Sequence, residues 1–404
     1  MRYKLRFSLF FFTMFLYMLC ANFIHPVTPT LIQNLNLPDY MFGLMLAANL
    51  LFIFLFSPFW GKINTFVSSR TSLLVCSLGY AAAQLGFAHA KLQVTILLVR
   101  FMAGFFAGGT FVSFLTYVIN VAKPEDQAKF LTYSATIQAV ATAFGYLVGG
   151  LLGEFSILGT FYIHVVTVVA TGIMFRLICE ADHAVPEKLP MKEILADANP
   201  LHAFLDGRHF MNKAFALLFA VNILTNFGNT GFDQAFNYYL KDQLGLTSSY
   251  NGIIKAAVGF ITFVANMTLC MWIIHKTNVK KSTAVVTLFC TAASVGALLI
   301  PEIRTFITFS IMVYAGYSVS LPLVQHMAAV QADPAQKNLV MGFYNATKFL
   351  GSVIGSLTAG FLYGVHSRLP FAVVAVAYGI SFLAALAYLL HSKKHVKTPA
   401  CSAG

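Results

Sequence analysis

Apolar stretches of about 20 residues recur along this chain, near residues 7–30, 41–60, 72–90, 94–121, 130–153 and 159–178, and again near 214–238, 250–274, 283–300, 306–331, 339–363 and 370–391. A helix of about 20 residues crosses the roughly 30 Å hydrocarbon core of a bilayer. Inside lipid the backbone must satisfy its own hydrogen bonds, so runs of this length read as spanning helices. Hydrophobic residues make up 58% of the chain and charged ones only 10%, against about 25% charged in a soluble domain. An ordinary water-soluble globule is excluded. The expected fold is an all-α membrane protein with twelve transmembrane helices, six in each of two pseudo-symmetric bundles.

The net charge of +12 would suggest a nucleic-acid partner if it formed one patch. It is spread instead over alternate loops. One side carries Arg2, Lys4, Arg6, Lys62, Arg70, Lys123, Lys276, Lys280, Lys281, Lys393 and Lys394, whereas the other carries only Lys91, Lys241, Arg304 and Arg368. The positive-inside rule then puts both termini in the cytoplasm. The expected location is the cell inner (plasma) membrane, with no nucleic acid as partner. The first run, from Phe7 to Ile24, exceeds a signal-peptide core and lacks a small-residue cleavage site, so it reads as a retained span.

One connection differs in composition. Residues 179–212 carry Glu180, Asp182, Glu187, Glu193, Asp197 and Asp206, with Pro186, Pro190 and Pro200 as helix breakers. The expected division is therefore an N-terminal bundle (1–178), a cytoplasmic linker (179–212), a C-terminal bundle (213–391) and a tail (392–404). The two halves are also related in sequence. Leu31, Leu35, Gly43 and Ala47 match Leu240, Leu244, Gly252 and Ala256, a shift of 209 (240 minus 31). Pro124, Gly145 and Gly150 match Pro334, Gly355 and Gly360, a shift of 210 (334 minus 124). Apolar composition alone would not bring Gly and Pro into line at nearly one shift, so the chain is an internal duplication.

Twelve spans in parallel halves about a cytoplasmic loop resemble the major facilitator superfamily. The loop GKINTFVSSRTSLL has Gly61, Arg70 and Leu73 in the places of that superfamily's inner-loop motif, with Thr65 where an acid is usual and Ser68 where a glycine is usual. LLVRFMAGFFAGG, with Arg100, Gly104 and Gly108, resembles the drug-exporter motif in which a buried arginine is linked to proton transfer. GYLVGG is similar to the antiporter signature, with Tyr146 in place of the usual proline. NFGNTGFDQAFNYYLKDQLGL looks like the stretch of bacterial drug/proton antiporters that bears an acid at the place of Asp233, while the span-10 stretch YAGYSVSLPL has Ser318 and no carboxylate. The resemblance implies a proton-coupled secondary transporter.

The residues themselves single out the seventh run. Asn222, Asn226, Asn229, Asp233 and Asn237 recur at helical spacing on one face. A mid-bilayer charge costs roughly 2.5–3.5 kcal/mol on insertion scales, so Asp233 needs a cavity, a partner such as Lys255, or a proton. Asp233 and Arg100 are the candidate proton-coupling residues. The alternative for Arg100 is a fixed hydrogen-bond hub to backbone carbonyls. Lys348 and Gln138, aligned with each other by the duplication, are candidates for the substrate cavity, together with Asn22, His25, Asn222, Asn226, Asn229, Tyr314, Tyr317 and Asn345. The glycine rows in spans 4, 5 and 11 read as close helix contacts.

No phosphate-binding Gly-Lys-Ser/Thr loop, HExxH or GxSxG occurs, so neither ATP nor catalysis is expected, and no metal or cofactor. Six cysteines show no paired spacing and imply no disulfide. The expected partners are a small-molecule substrate, protons and the lipid bilayer, and the expected state is a monomer. The expected function is proton-coupled export of a small amphipathic or drug-like compound by alternating access. The alternatives are a proton-coupled uptake symporter for an anionic nutrient and a lipid flippase.

Overall fold

A computed structural model describes residues 3–182, 199, 208, 210–300, 302–333 and 336–396. Pro186, Pro190 and Pro200, the acids between Glu187 and Asp206, and the tail beyond residue 396 lie outside the described residues. The described residues are helical or in short connections. They contain twelve helices long and apolar enough to cross a membrane. In chain order these elements are α1 (Tyr3–Ala21), a short α2 (Thr28–Asn34), α3 (Met41–Ile63), α4 (Ser69–His89), α5 (Gln93–Val121), α6 (Pro124–Phe155) and α7 (Ile157–Ile178). They continue with α8 (Lys213–Asp242), α9 (Ser248–Lys276), α10 (Val279–Leu299), α11 (Ile303–Gln331), α12 (Lys337–Val365) and α13 (Leu369–Val396).

The helix ends follow from local chemistry. Pro124 opens α6, where its missing N–H costs nothing, and Glu125 and Asp126 complement the positive end of the helix. Ser156 starts α7 by accepting from Gly159 N at 2.9 Å, and Asn278 starts α10 by accepting from Lys281 N at 3.2 Å. The first apolar run is not one continuous helix. It breaks into turns between Ala21 and Thr28, around Pro26, which can donate no hydrogen bond to the preceding turn. A second irregularity is the π-helical turn Asn266–Cys270 inside α9.

Packing divides the chain into two compact units, Met1–Pro200 with Asn237–Phe260, and Leu201–Phe236 with Ile261–Gly404. In unit 1, α5 packs on α3 and α4, α4 on α7, and α1 on α6 and α7. Its core is aromatic, with Phe7, Phe10, Phe114, Tyr117 and Phe175 in tilted ring contacts with one another. In unit 2, α10 packs on α11 and α13, and α12 on α11 and α13. The two units repeat one buried pattern. Leu73, Ser77, Tyr80, Gln84 and Phe87 of α4 return in α10 as Thr283, Thr287, Cys290, Ser294 and Ala297. Phe161, His164, Val168 and Thr171 of α7 return in α13 as Phe371, Val374, Tyr378 and Ser381. All of these pairs keep the shift of 210 (283 minus 73).

At one end of unit 1 a carboxylate is built into the fold. Asp182, just past α7, accepts from Ser68 Oγ at 2.7 Å, from Ser69 N at 2.8 Å, from Asn120 Nδ2 at 3.1 Å and from Ser69 Oγ. It therefore closes the start of α4 with a charge of the sign that the helix dipole favours. Burial pushes the carboxyl up, but the hydrogen bonds from Ser69, Ser68 and Asn120 outweigh it, and the net shift is downward. A depressed carboxyl stabilises the fold above its unfolded value, near 3.9, and loses that contribution as pH falls through the lower folded value. Asp182→Asn places an amide N–H₂ against the Ser and Asn donors. It should cost about 1.5–3 kcal/mol at neutral pH and remove this share of the acid sensitivity. Thermal unfolding of wild type and variant at pH 7 and pH 3 checks both expectations.

Candidate functional site

The polar face of α8 is sorted by its neighbours in unit 2. Asn222 is fully buried and donates to the Tyr344 carbonyl at 2.8 Å and to Thr347 Oγ1 at 2.9 Å, both on α12. Asn226, 1% exposed, donates to Asn222 O and Oδ1 at 2.8 and 3.0 Å and accepts from Tyr317 OH at 2.8 Å. These two asparagines therefore tie α8 to α12 and α11. One turn further, Asn229 and Asp233 are half-buried. Asp233 accepts from Tyr314 OH at 3.0 Å and from Gln234 Nε2 at 3.4 Å. The outcome is a ladder that is structural at one end and ionisable at the other.

Glycine makes the ladder possible. A Cβ built on Gly351 would lie 2.3 Å from Ile223 O, and one on Gly355 would lie 2.3 Å from Phe227 O. The backbones of α12 and α8 thus touch where Asn222 must reach across. Asn222→Ala should lower stability by about 1–2 kcal/mol, because each interhelical hydrogen bond contributes about 0.6–2 kcal/mol in a membrane. The midpoint of thermal unfolding in detergent measures it. On α12 itself Asn345 is exposed and Lys348 half-buried.

Unit 1 places Arg100 in its interior, 6% exposed. Nε donates to the Met45 carbonyl at 3.5 Å, and the guanidinium lies 5.1 Å from the centroid of the Phe87 ring. The Asn49 amide donates to the Arg100 carbonyl at 3.4 Å, and Gly104 lets α5 approach Asn49 O. Two residues that sequence reasoning did not single out lie near it, and a third lies beside one of them. Tyr80 and His164 interact electrostatically with Arg100, and their rings meet edge-on at 5.7 Å. The His164 Nδ1–H donates to the Cys20 carbonyl at 2.6 Å. Gln84 is fully buried beside Tyr80. Tyr80 and Gln84 come from α4 and His164 from α7, and no local spacing in the sequence links them to Arg100 on α5.

The other expected residues of unit 1 are spread over its interior and ends. Asn22 donates to Met18 O at 2.6 Å and to Thr142 Oγ1 at 3.3 Å. His25 stacks on Tyr146 at 5.4 Å with 9° between the rings, and Lys255 lies 5.8 Å from the same ring. Gln138 is half-buried on α6. Gly61 lies near the end of α3, where a Cβ built on it would come 4.0 Å from Val112 Cγ1, and Arg70 sits in the first turn of α4 with a buried Nε.

Comparison with known proteins agrees with this architecture. The sequence profile of the Major Facilitator Superfamily matches residues 10–313 and 218–401. The chain is 21% identical over 390 residues to multidrug resistance protein 1 of Bacillus subtilis, covering 94% of this chain and 96% of that protein. It is 21% identical over 399 residues to quinolone resistance protein NorA of Staphylococcus aureus, covering 95% and 96%. Its fold matches the crystal structure of a bacterial homologue of the human lysosomal transporter Spinster with a TM-score of 0.75, at 14% identity and over 96% and 97% of the two chains. With the profile matched from residue 10 to residue 401, twelve helices fit to cross a bilayer and the repeated six-helix pattern, this chain belongs to the Major Facilitator Superfamily and is a multi-pass membrane transporter.

Proposed function

We propose that the protein is a proton-driven exporter of a small amphipathic or drug-like compound in the plasma membrane, with both termini cytoplasmic. Residues 1–178 and 213–391 would move against each other in alternating access. Asp233 carries the proton and Arg100 and Lys348 set the potential of the substrate path. The observation that carries this reading is Asp233 itself, an ionisable side chain within a spanning helix and held at 3.0 Å by the Tyr314 hydroxyl. Such a group is costly to keep charged in a membrane and gains from exchanging a proton. Two relatives covered almost end to end are named for resistance to multiple drugs and to quinolones, which favours a drug-like substrate.

A second reading, uptake of an anionic nutrient, draws on Lys348, a half-buried cation on a helix that contains no acidic residue. Proton flux in everted vesicles separates the two. With a respiration-generated gradient, adding an exported cationic dye should alkalinise the lumen in the wild type. Acidification on adding an organic anion, with no response to the dye, would overturn export in favour of symport.

A further inference from the structure

The shift of 210 residues lets one end of unit 1 be compared with the matching end of unit 2. In unit 1 the start of α4 holds the Asp182 carboxylate, gripped by Ser68, Ser69 and Asn120. In unit 2 the matching start is that of α10. Asn278 stands for Ser68 as the residue before the helix, and Lys280 stands for Arg70. The place of Asp182 falls to Ser392, a neutral side chain whose hydroxyl donates to Leu389 O at 3.0 Å. The built-in anion of unit 1 therefore has no counterpart in the sequence of unit 2.

A cavity of about 1190 Å³ lies there instead, between the starts of α8 and α10 and the ends of α11 and α13. Lys213, Lys280, His326 and His391 line it, with the amide donors Asn212 and Asn278. No Asp or Glu is among its described lining residues. Lys280 lies 5.5 Å from the Tyr388 ring, which keeps its stem against the wall of the cavity. Two helix N-termini add positive potential to the two lysines. The arrangement offers charge and hydrogen-bond donors at a membrane-helix end.

We propose that this cavity binds a phosphate group, at the end of unit 2 that corresponds in sequence to the Asp182 end of unit 1. Phosphate has the charge and the several acceptor oxygens that two lysines, two helix starts and the amide donors require. The volume far exceeds one inorganic ion and has room for a phosphodiester with its glycerol. Basic pockets between spanning helices take anionic lipid headgroups in this way. The source is a phospholipid at the interface or a free phosphate compound.

The test uses the purified full-length chain. Its thermal unfolding is followed in detergent with inorganic phosphate against chloride of equal ionic strength, and in nanodiscs of phosphatidylcholine with and without phosphatidylglycerol. Wild type should gain thermal stability from one of the two ligands. Lys213→Gln/Lys280→Gln should require at least tenfold more of it, a loss of at least about 1.4 kcal/mol. Ser392→Asp, which supplies the carboxylate that unit 1 has, should be more stable than wild type without ligand and insensitive to it. A response to phosphate alone identifies a soluble source, and a response to phosphatidylglycerol alone identifies a lipid. Equal responses in wild type and Ser392→Asp, or none in wild type, would overturn the proposal even if the double variant fails to fold.

Discussion

Asp233→Asn is expected to reduce substrate-dependent proton flux to the background of empty vesicles, with no comparable loss of folded protein. Asparagine is nearly isosteric and still offers an oxygen to the Tyr314 hydroxyl now 3.0 Å away, so the tie between α8 and α11 survives. The change in stability should stay within about 1 kcal/mol, the worth of one ordinary hydrogen bond. What the amide cannot do is take and release a proton, and a group that does not titrate cannot link a gradient to a conformational equilibrium. Energised efflux therefore collapses while binding, read by ligand-induced thermal stabilisation, persists. Tyr314→Phe separates the two properties, because it removes the hydroxyl and leaves the carboxylate titratable. Flux in Asp233→Asn equal to wild type would remove Asp233 as the proton carrier and leave the fold untouched.

The largest structural effects are expected at two glycines that the duplication pairs. A Cβ on Gly145 would lie 2.3 Å from Leu19 O and 2.8 Å from Asn22 Cβ, and one on Gly355 would lie 2.3 Å from Phe227 O and 2.9 Å from its Cα. The obstacles are mainly helix backbone, which cannot rotate aside as a side chain can. Gly145→Ala and Gly355→Ala should each cost about 1–3 kcal/mol as the helix pairs are forced apart. The Val variants should cost more and yield little monodisperse protein on size exclusion. Gly342 is the control, since a Cβ there meets nothing within 4 Å. Gly342→Ala should be neutral or stabilising by up to about 1 kcal/mol, the helix-propensity difference. Equal behaviour of all three alanine variants would contradict the close backbone approach.

The residues differ in how openly they announced their roles. The Asn222–Asp233 stripe was legible because helical spacing is written in the sequence, and a polar face in an apolar run must find partners. The spacing did not say that Asn222 and Asn226 would be consumed by Tyr344, Thr347 and Tyr317, more than 90 residues away, while Asp233 kept an ionisable place. For Arg100 two roles stood open, and its neighbours, the Met45 carbonyl, the Phe87 ring, Tyr80 and His164, come from three other helices. The loop after α3 lacks the usual acid at Thr65, and nothing local indicated that Asp182, more than 100 residues later, would bring a carboxylate to Ser68 and Ser69.

From the residue order alone came the number of spans, the repeat and the family resemblance, because bilayer thickness and backbone hydrogen bonding act on each apolar run separately and a duplication leaves matching Gly and Pro positions. Only the folded chain settled which buried polar groups satisfy one another, where backbones touch, and that one unit closes a helix start with its own carboxylate while the other leaves a basic cavity. Those outcomes depend on contacts between segments distant in sequence, and their energies arise from burial and geometry that do not exist until the helices pack.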